Sequence, residues 1–525
     1  MNLRTRSIIL AIVLIVSFIT KLIDLGSNPA GFFADEASVG YDAFLLATTG
    51  RDRNNDRFPL FFKGFNFDNI SPYQVYFTVP AVILGRLNET SVRLPPVIGS
   101  TVELLLFYFL LRLFLPEIHA LFGTVFLSIS PWHFHISRVH FGDFYTWTLF
   151  SVGSILFFSR FLRNKTNQDA IYTAVFLALT SYSYTPARLT TPILFGFLLL
   201  VIVLQKLFKQ AVLISIVYII LLIPFINFHV KNPYSFQRIK DTVSVDVNNT
   251  NVTEPLVIMK SMLPKFTKKY AEHYSDEFLY TKGDADYPGQ FIKRHSISGI
   301  GLLYPYQKLF LILGFLYAGY IVVKRKQMAL LSVFFLFFLF PIPDSLTQDN
   351  TPFSTRSYLG VLPAHIFIAF GFYLVTKIFL SYIPRYSRHF YIFVGYTGIL
   401  LTILSGFILY QFFRLNPLTT SDFWGWQFGA RDIMAYFVQH HYEYDELIME
   451  PAFNGPKIFL KFYDPEGRCS RCKIGFLHER YDANKNQLFA VTSEELLKVN
   501  QPLYVRDRIY APDSSVRFFL VSNRN

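Results

Sequence analysis

The sequence predicts an α-helical polytopic membrane protein with a small α/β soluble domain at its C-terminal end, and three observations predict it. The first is composition: 52% of the 525 residues are hydrophobic, with 59 Phe and 32 Tyr, more than a soluble globular chain carries. The second is distribution. Apolar residues gather in runs such as 7–25, 358–380 and 390–413, close to the roughly 20 residues a helix needs to cross about 30 Å of hydrocarbon. A membrane barrel would show short alternating segments instead. The third is charge. The formal net charge of +13 sits in short clusters at the ends of the runs and not on one amphipathic face, which speaks for membrane topology and against nucleic acid as a partner.

About eleven spans follow from this pattern, at 7–25, 95–115, 116–130, 145–161, 170–184, 189–208, 211–228, 306–323, 328–340, 358–380 and 390–413. The first run lacks a small-residue cleavage site and leads straight into a polar loop, so it reads as a retained helix and not a signal peptide. The stretch 73–87 is apolar but short and holds Pro80. If it does not cross, then Arg4 and Arg6, Arg112, Arg160, Arg163 and Lys165, Lys206 and Lys209, Lys324 to Lys326, and Arg385 and Arg388 all fall on one side, as the positive-inside rule requires. It is therefore expected to be interfacial or re-entrant.

That topology divides the chain into a membrane domain, 1–417, with long external loops at 26–94 and 229–305, and an extracytoplasmic α/β domain, 418–525, where charged residues and short strand-like runs return. A multi-pass protein of a prokaryotic plasma membrane is the expected setting. Cys469 and Cys472, in Cys-Ser-Arg-Cys, make half a zinc ribbon at most; outside the cytoplasm a local disulfide fits them better.

Chemistry is expected in the first external loop, where Gly31-Phe32-Phe33-Ala34-Asp35-Glu36-Ala37 sets two carboxylates directly after a membrane helix. A carboxylate at the interface, partly shielded from water, suits a general base or a cation ligand; acidic residues are equally at home capping the next helix. External cations form the second candidate group: Lys63, Arg93, Arg138, Arg294 beside His295, and Arg356, with Arg188 between two spans. External basic residues run against the charge bias, and an arginine fork suits phosphate, although snorkelling at a span end explains any one of them. Asp143 is a further external carboxylate, able to contact substrate or metal or to cap the helix it precedes. His133, His135 and His140 fit no zinc spacing.

These residues resemble glycosyltransferase family 39, which holds the protein O-mannosyltransferases and the aminoarabinose transferases of lipid A. The resemblance is carried by Asp35-Glu36; Phe58-Pro59-Leu60-Phe61-Phe62-Lys63-Gly64-Phe65; Arg93-Leu94-Pro95; Ser130-Pro131-Trp132-His133 with Ser137-Arg138; Gly283-Asp284 with Arg294-His295-Ser296; and Arg356-Ser357 leading to Gly360-Val361-Leu362-Pro363. Trp426-Gln427-Phe428-Gly429-Ala430 opens the tail in the same manner. The chain departs from the pattern at Gly142, where relatives place an acidic residue; here Asp143 comes one later.

The resemblance implies the GT-C fold and an inverting transfer from a polyprenyl-phosphate sugar to an acceptor hydroxyl on protein, lipid or glycan. It implies Asp35 as the base with Glu36 beside it, and Lys63, Arg93, Arg138 and Arg356 at the donor phosphate. Asp143, Arg188, Arg294 and His295 are further substrate or metal contacts. No nucleotide loop is present, as suits a sugar already activated on its carrier; a divalent cation is the one cofactor left open. The rivals are a polytopic transporter or lipid flippase, which would place its charges near mid-span, and a scaffold that only presents the tail.

Overall fold

The computed structural model of the chain describes residues 3–65, 69–232, 255–349, 351–381 and 387–525. The stretch 233–254 of the second expected external loop lies outside the described residues. Seven described helices are long and apolar enough to cross a membrane: Thr5–Leu22, Glu89–Arg112, Ala187–Leu204, Phe208–Lys231, Gln307–Arg325, Tyr358–Phe379 and Ile392–Thr419. Two more expected spans are the shorter apolar helices Glu117–Ser128 and Leu330–Ser345. The last two are the helices Phe144–Asn164 and Asn167–Ser181, which are less apolar for a physical reason. Thr146, Thr148, Ser151, Ser154 and Ser159 are all buried, so Phe144–Asn164 is polar where it packs on other helices, a place where lipid does not select for hydrophobicity.

The stretch 73–87 forms two short helices, Pro72–Tyr76 and Thr78–Gly85. At about 1.5 Å per residue neither can span hydrocarbon, and Ile83 and Leu84 stand exposed on the second, as they do on a helix lying in an interface. Elsewhere small residues let helices approach closely. A Cβ on Gly314 would lie 1.7 Å from the Phe367 carbonyl oxygen, and one on Gly371 1.9 Å from that of Phe310; this fastens Gln307–Arg325 to Val361–Ser381 by the close backbone packing membrane helices use.

The first loop carries the helix Ala34–Thr49 and a hairpin of β1 (Phe62–Lys63) and β2 (Asn69–Ile70). After the long helix Ser387–Thr419 the tail folds as a mixed sheet of β3 (Glu446–Met449), β4 (Cys472–Ile474), β5 (Gln487–Val491), β6 (Tyr504–Tyr510) and β7 (Val516–Ser522), in the order β4-β3-β5-β7-β6. Its β3, β4 and β5 run parallel and β7 and β6 antiparallel. Cys469 and Cys472 close a disulfide at the start of β4. The tail does not stand apart: Phe32, Ala34, Ala37 and Val92 of the membrane domain share one buried cluster with Phe428, Ile433, Phe462 and Phe518. That shared core holds the first loop against the sheet domain.

Candidate active site

The site is built around the start of Ala34–Thr49. Phe33 is extended before the helix, so the two adjacent carboxylates enter the first turn about 100° apart and face different surroundings. Asp35 is half-buried, whereas Glu36 is fully buried. The Glu36 carboxylate accepts from the Phe33 N–H at 3.2 Å, the His140 N–H at 2.9 Å, and Arg93 Nε and Nη2 at 3.0 and 2.9 Å. Arg93 gives its other N–H groups to the carbonyls of Leu25 (3.2 Å), Pro29 (3.1 Å) and Gly31 (2.7 Å).

All five donors of the Arg93 guanidinium are thus occupied, which leaves none for the phosphate the sequence reading gave it. Buried charge of this kind persists only when paired and fully hydrogen-bonded. Glu36, expected beside Asp35 in the chemistry, is turned inward as the other half of that anchor. Arg138 is fully buried as well. It donates to the carbonyls of Lys21 at 2.6 Å and Asn28 at 2.9 Å, and burial, followed by the nearby Arg93 charge, pushes its guanidinium down to about 9. Both arginines hold the loop onto the membrane helices.

Arg294, His295 and Arg356 are brought into one series of contacts with Phe33. The Arg294 guanidinium lies 3.9 Å from the Phe33 ring centre and 5.6 Å from that of Phe141. His295 sits 5.9 Å from Phe141 and 5.1 Å from Phe353, ring centre to ring centre, and its Nδ1 is 3.5 Å from Asp284. Arg356 also lies over Phe353, its guanidinium 4.4 Å from the ring centre. Beyond it lies a cluster the sequence reading missed. Asp344 is 3.3 Å from Lys269, 3.1 Å from His273 and 3.5 Å from Arg356. Arg356 Nη1 also bonds Asp349 and, at 3.0 Å, Thr347. A cavity of about 100 Å³ beside them is lined by Lys265, Lys268 and Lys269, by Glu272 and Asp349, and by Met262, Phe266, Ser345 and Thr347. Asp344 carried the same signal as Asp35, a carboxylate at the end of an apolar run.

Asp143 is buried and accepts from the Ser71 hydroxyl at 2.5 Å. Burial pushes its carboxyl up to about 7, against the opposing hydrogen bonds of Ser71 and Thr146. Arg188 lies over Phe61 at 5.3 Å and donates to the Asn69 carbonyl at 3.4 Å. Lys63 is exposed on β1 with Asp56 as its partner at 3.0 Å. These two belong to the hairpin side of the loop. Among the described residues no three His, Cys, Asp or Glu side chains gather in a group able to hold a metal ion.

Residues 74–229 match the protein family described as dolichyl-phosphate-mannose-protein mannosyltransferase. That segment of the chain is therefore of the membrane glycosyltransferase kind that draws on a lipid-phosphate sugar. No curated protein sequence matches the chain. Among solved structures, the oligosaccharyltransferase AglB of Archaeoglobus fulgidus, in complex with an inhibitory peptide and a dolichol-phosphate, is similar with a TM-score of 0.51 and 13% identity over 97% of this chain and 74% of that one. The apo oligosaccharyltransferase of Archaeoglobus fulgidus is similar at 0.50 and 12%, over 88% and 64%. ArnT from Cupriavidus metallidurans bound to undecaprenyl phosphate gives 0.49 and 11%, over 99% and 98%. At these identities the likeness is one of fold: this is a multi-pass membrane protein of the GT-C architecture with a small mixed-sheet domain at its C-terminal end.

Proposed function

We propose that this glycosyltransferase moves a sugar from a polyprenyl phosphate to an acceptor hydroxyl on the extracytoplasmic side, with inversion, and that Asp35 is the base. The acceptor oxygen attacks the anomeric carbon. Its proton passes to the Asp35 carboxylate, the bond from the anomeric carbon to the phosphate oxygen breaks, and the electron pair leaves with the lipid phosphate. The observation that carries this reading is the divergence of the carboxylate pair. Glu36 is spent on Arg93 and two backbone N–H groups, while Asp35 keeps part of its surface toward solvent one position earlier.

Arg356, with Lys269 behind it and Arg294 over Phe33, is the cation set that suits the departing phosphate; among the described residues the hydrogen bonds of Arg356 run through Nη1. The adjoining cavity, where Lys265, Lys268 and Lys269 outnumber Glu272 and Asp349 and Met262 and Phe266 add an apolar wall, has the mixed lining a phosphate with a lipid tail calls for. Arg188, Asp143 and His295 remain candidate substrate contacts, and Lys63 a candidate for the donor phosphate. No step is drawn through a divalent cation.

The test is transfer from radiolabelled polyprenyl-phosphate sugars to membrane acceptors by wild type and a folded Asp35→Asn variant. Loss of a general base lowers the rate by about 100-fold or more. Equal transfer by both removes Asp35 from the mechanism, and transfer from no donor moves the reading to a transporter.

A further inference from the structure

The helix that carries Asp35 is capped by its own sequence only at the boundary, where the Glu36 carboxylate accepts from the Phe33 N–H at 3.2 Å. Phe33 stands at its N-terminal boundary and its side chain makes no cap hydrogen bond, so the first N–H groups of the helix need acceptors from elsewhere. One comes from the far end of the chain. The Ala34 N–H donates to Gln427 Oε1 at 2.7 Å, across a separation of 393 residues. Gln427 in turn donates through Nε2 to the Asn454 carbonyl at 3.1 Å, and it is 1% exposed.

The chain accepts a cost to present this side chain. Gln427 has φ +59°, a left-handed conformation that disfavours residues other than Gly, Asn and Asp. Asp422 braces the turn, accepting from the N–H groups of Gly425 at 2.5 Å and Trp426 at 3.1 Å. The contact continues upstream: Gly31 N–H donates to the Thr420 carbonyl at 3.0 Å and Ala30 N–H to Thr420 Oγ1 at 2.9 Å. A Cβ on Gly31 would stand 2.2 Å from the Trp426 carbonyl oxygen. Residues 420–427 therefore lie along 30–34 as a strap that ends on the first turn of the Asp35 helix.

We infer that the C-terminal domain is a working part of the active site, with Gln427 as a positioning residue that caps the helix carrying the base. The inference rests on the reading of Asp35 as that base. An intact first turn fixes where the Asp35 carboxylate stands, and its N-terminal dipole favours the ionised form the base needs. Without the Gln427 acceptor the turn frays, the carboxylate is displaced, and its ionisation moves to higher pH.

The experiment compares Gln427→Met, which keeps the length but not the acceptor, with Gln427→Glu, which keeps the acceptor. On the donor found by the transfer assay, Gln427→Met is expected to lose about 5- to 10-fold in kcat with the donor KM within about 2-fold. Its acidic pH limb should move up by about half a pH unit. Gln427→Glu should keep the alkaline plateau within about 2-fold. Amide exchange over 33–37 should quicken in Gln427→Met alone, a readout that needs no substrate.

Wild-type rate, pH limb and exchange in Gln427→Met would overturn the inference. So would a loss of rate and melting temperature together with the limb unmoved, which is plain structural support. An active Asp35→Asn sinks the base reading itself; an inactive Asp35→Asn beside a wild-type Gln427→Met sinks only the role of Gln427.

Discussion

Two arginine–carboxylate centres flank the candidate site, and they are built to opposite ends. Around Glu36 and Arg93 every guanidinium N–H has an acceptor and neither side chain meets solvent. Around Asp344, one carboxylate faces Lys269, His273 and Arg356; Arg356 is also paired with Asp349 and is 22% exposed, and the cavity beside the cluster carries Lys265 and Lys268 along with Glu272 and Asp349. A closed centre stabilises the fold and offers nothing to a ligand. An open one keeps cationic side chains where an anion can reach them, so residue type alone does not separate an anchor from a binding group.

Breaking the closed centre should cost most. Arg93→Met strands a buried Glu36 carboxylate, a loss of about 3–5 kcal/mol, read as a collapse of the detergent melting temperature. Adding Glu36→Leu should recover part of it, since both partners are then apolar. Breaking the open centre should leave the fold standing. Arg356→Met leaves Asp344 with Lys269 and His273 and should raise the donor KM by about 10-fold or more, the scale of a lost charge-assisted contact.

Gly31→Ala tests the strap that joins the loop to the tail. The new methyl meets a backbone carbonyl at 2.2 Å, and overpacking of this kind costs about 1–3 kcal/mol, seen as a lower melting temperature. Asp143 gives a pH-dependent effect. Its folded carboxyl is pushed up to about 7 by burial, so the native state binds a proton the unfolded chain releases near pH 4. Stability from this group is full below the unfolded pKa and falls as pH rises toward 7. Asp143→Asn should flatten that part of the melting-temperature profile relative to wild type. The smallest effect belongs to the exposed Lys63–Asp56 pair: Lys63→Ala should change stability by under about 1 kcal/mol, so any large loss of transfer in it would place Lys63 on substrate.

Much of this was legible in the sequence, for reasons that are local. Apolar run length gave the long helices, and charge parity alone marked 73–87 as a segment that does not cross, which the helices Pro72–Tyr76 and Thr78–Gly85 match in length. The count of about eleven spans meets seven by length and apolarity among the described residues. Helices such as Phe144–Asn164 hide their polarity against neighbours, and hydropathy is blind to what a face packs on. Within the candidate site, Asp35, Arg294, His295 and Arg356 were already candidates from their place in the expected external segments. Lys269 and His273 were not, because on the helix Pro255–Glu272 and the turn after it they read as ordinary loop charge until Asp344 is brought beside them.

The sequence by itself determined the membrane character, the first-loop carboxylates, the soluble tail and the family resemblance, since each rests on composition or on motifs a few residues long. Tertiary structure alone decided that Glu36 is fully buried on Arg93 while its neighbour Asp35 is half-buried, that Arg93 has no donor left, and that Gln427 caps the helix of Asp35. Those outcomes depend on which groups meet across tens to hundreds of residues. A hydrogen bond is spent on whichever partner the fold brings within about 3 Å, and sequence spacing carries no record of that meeting.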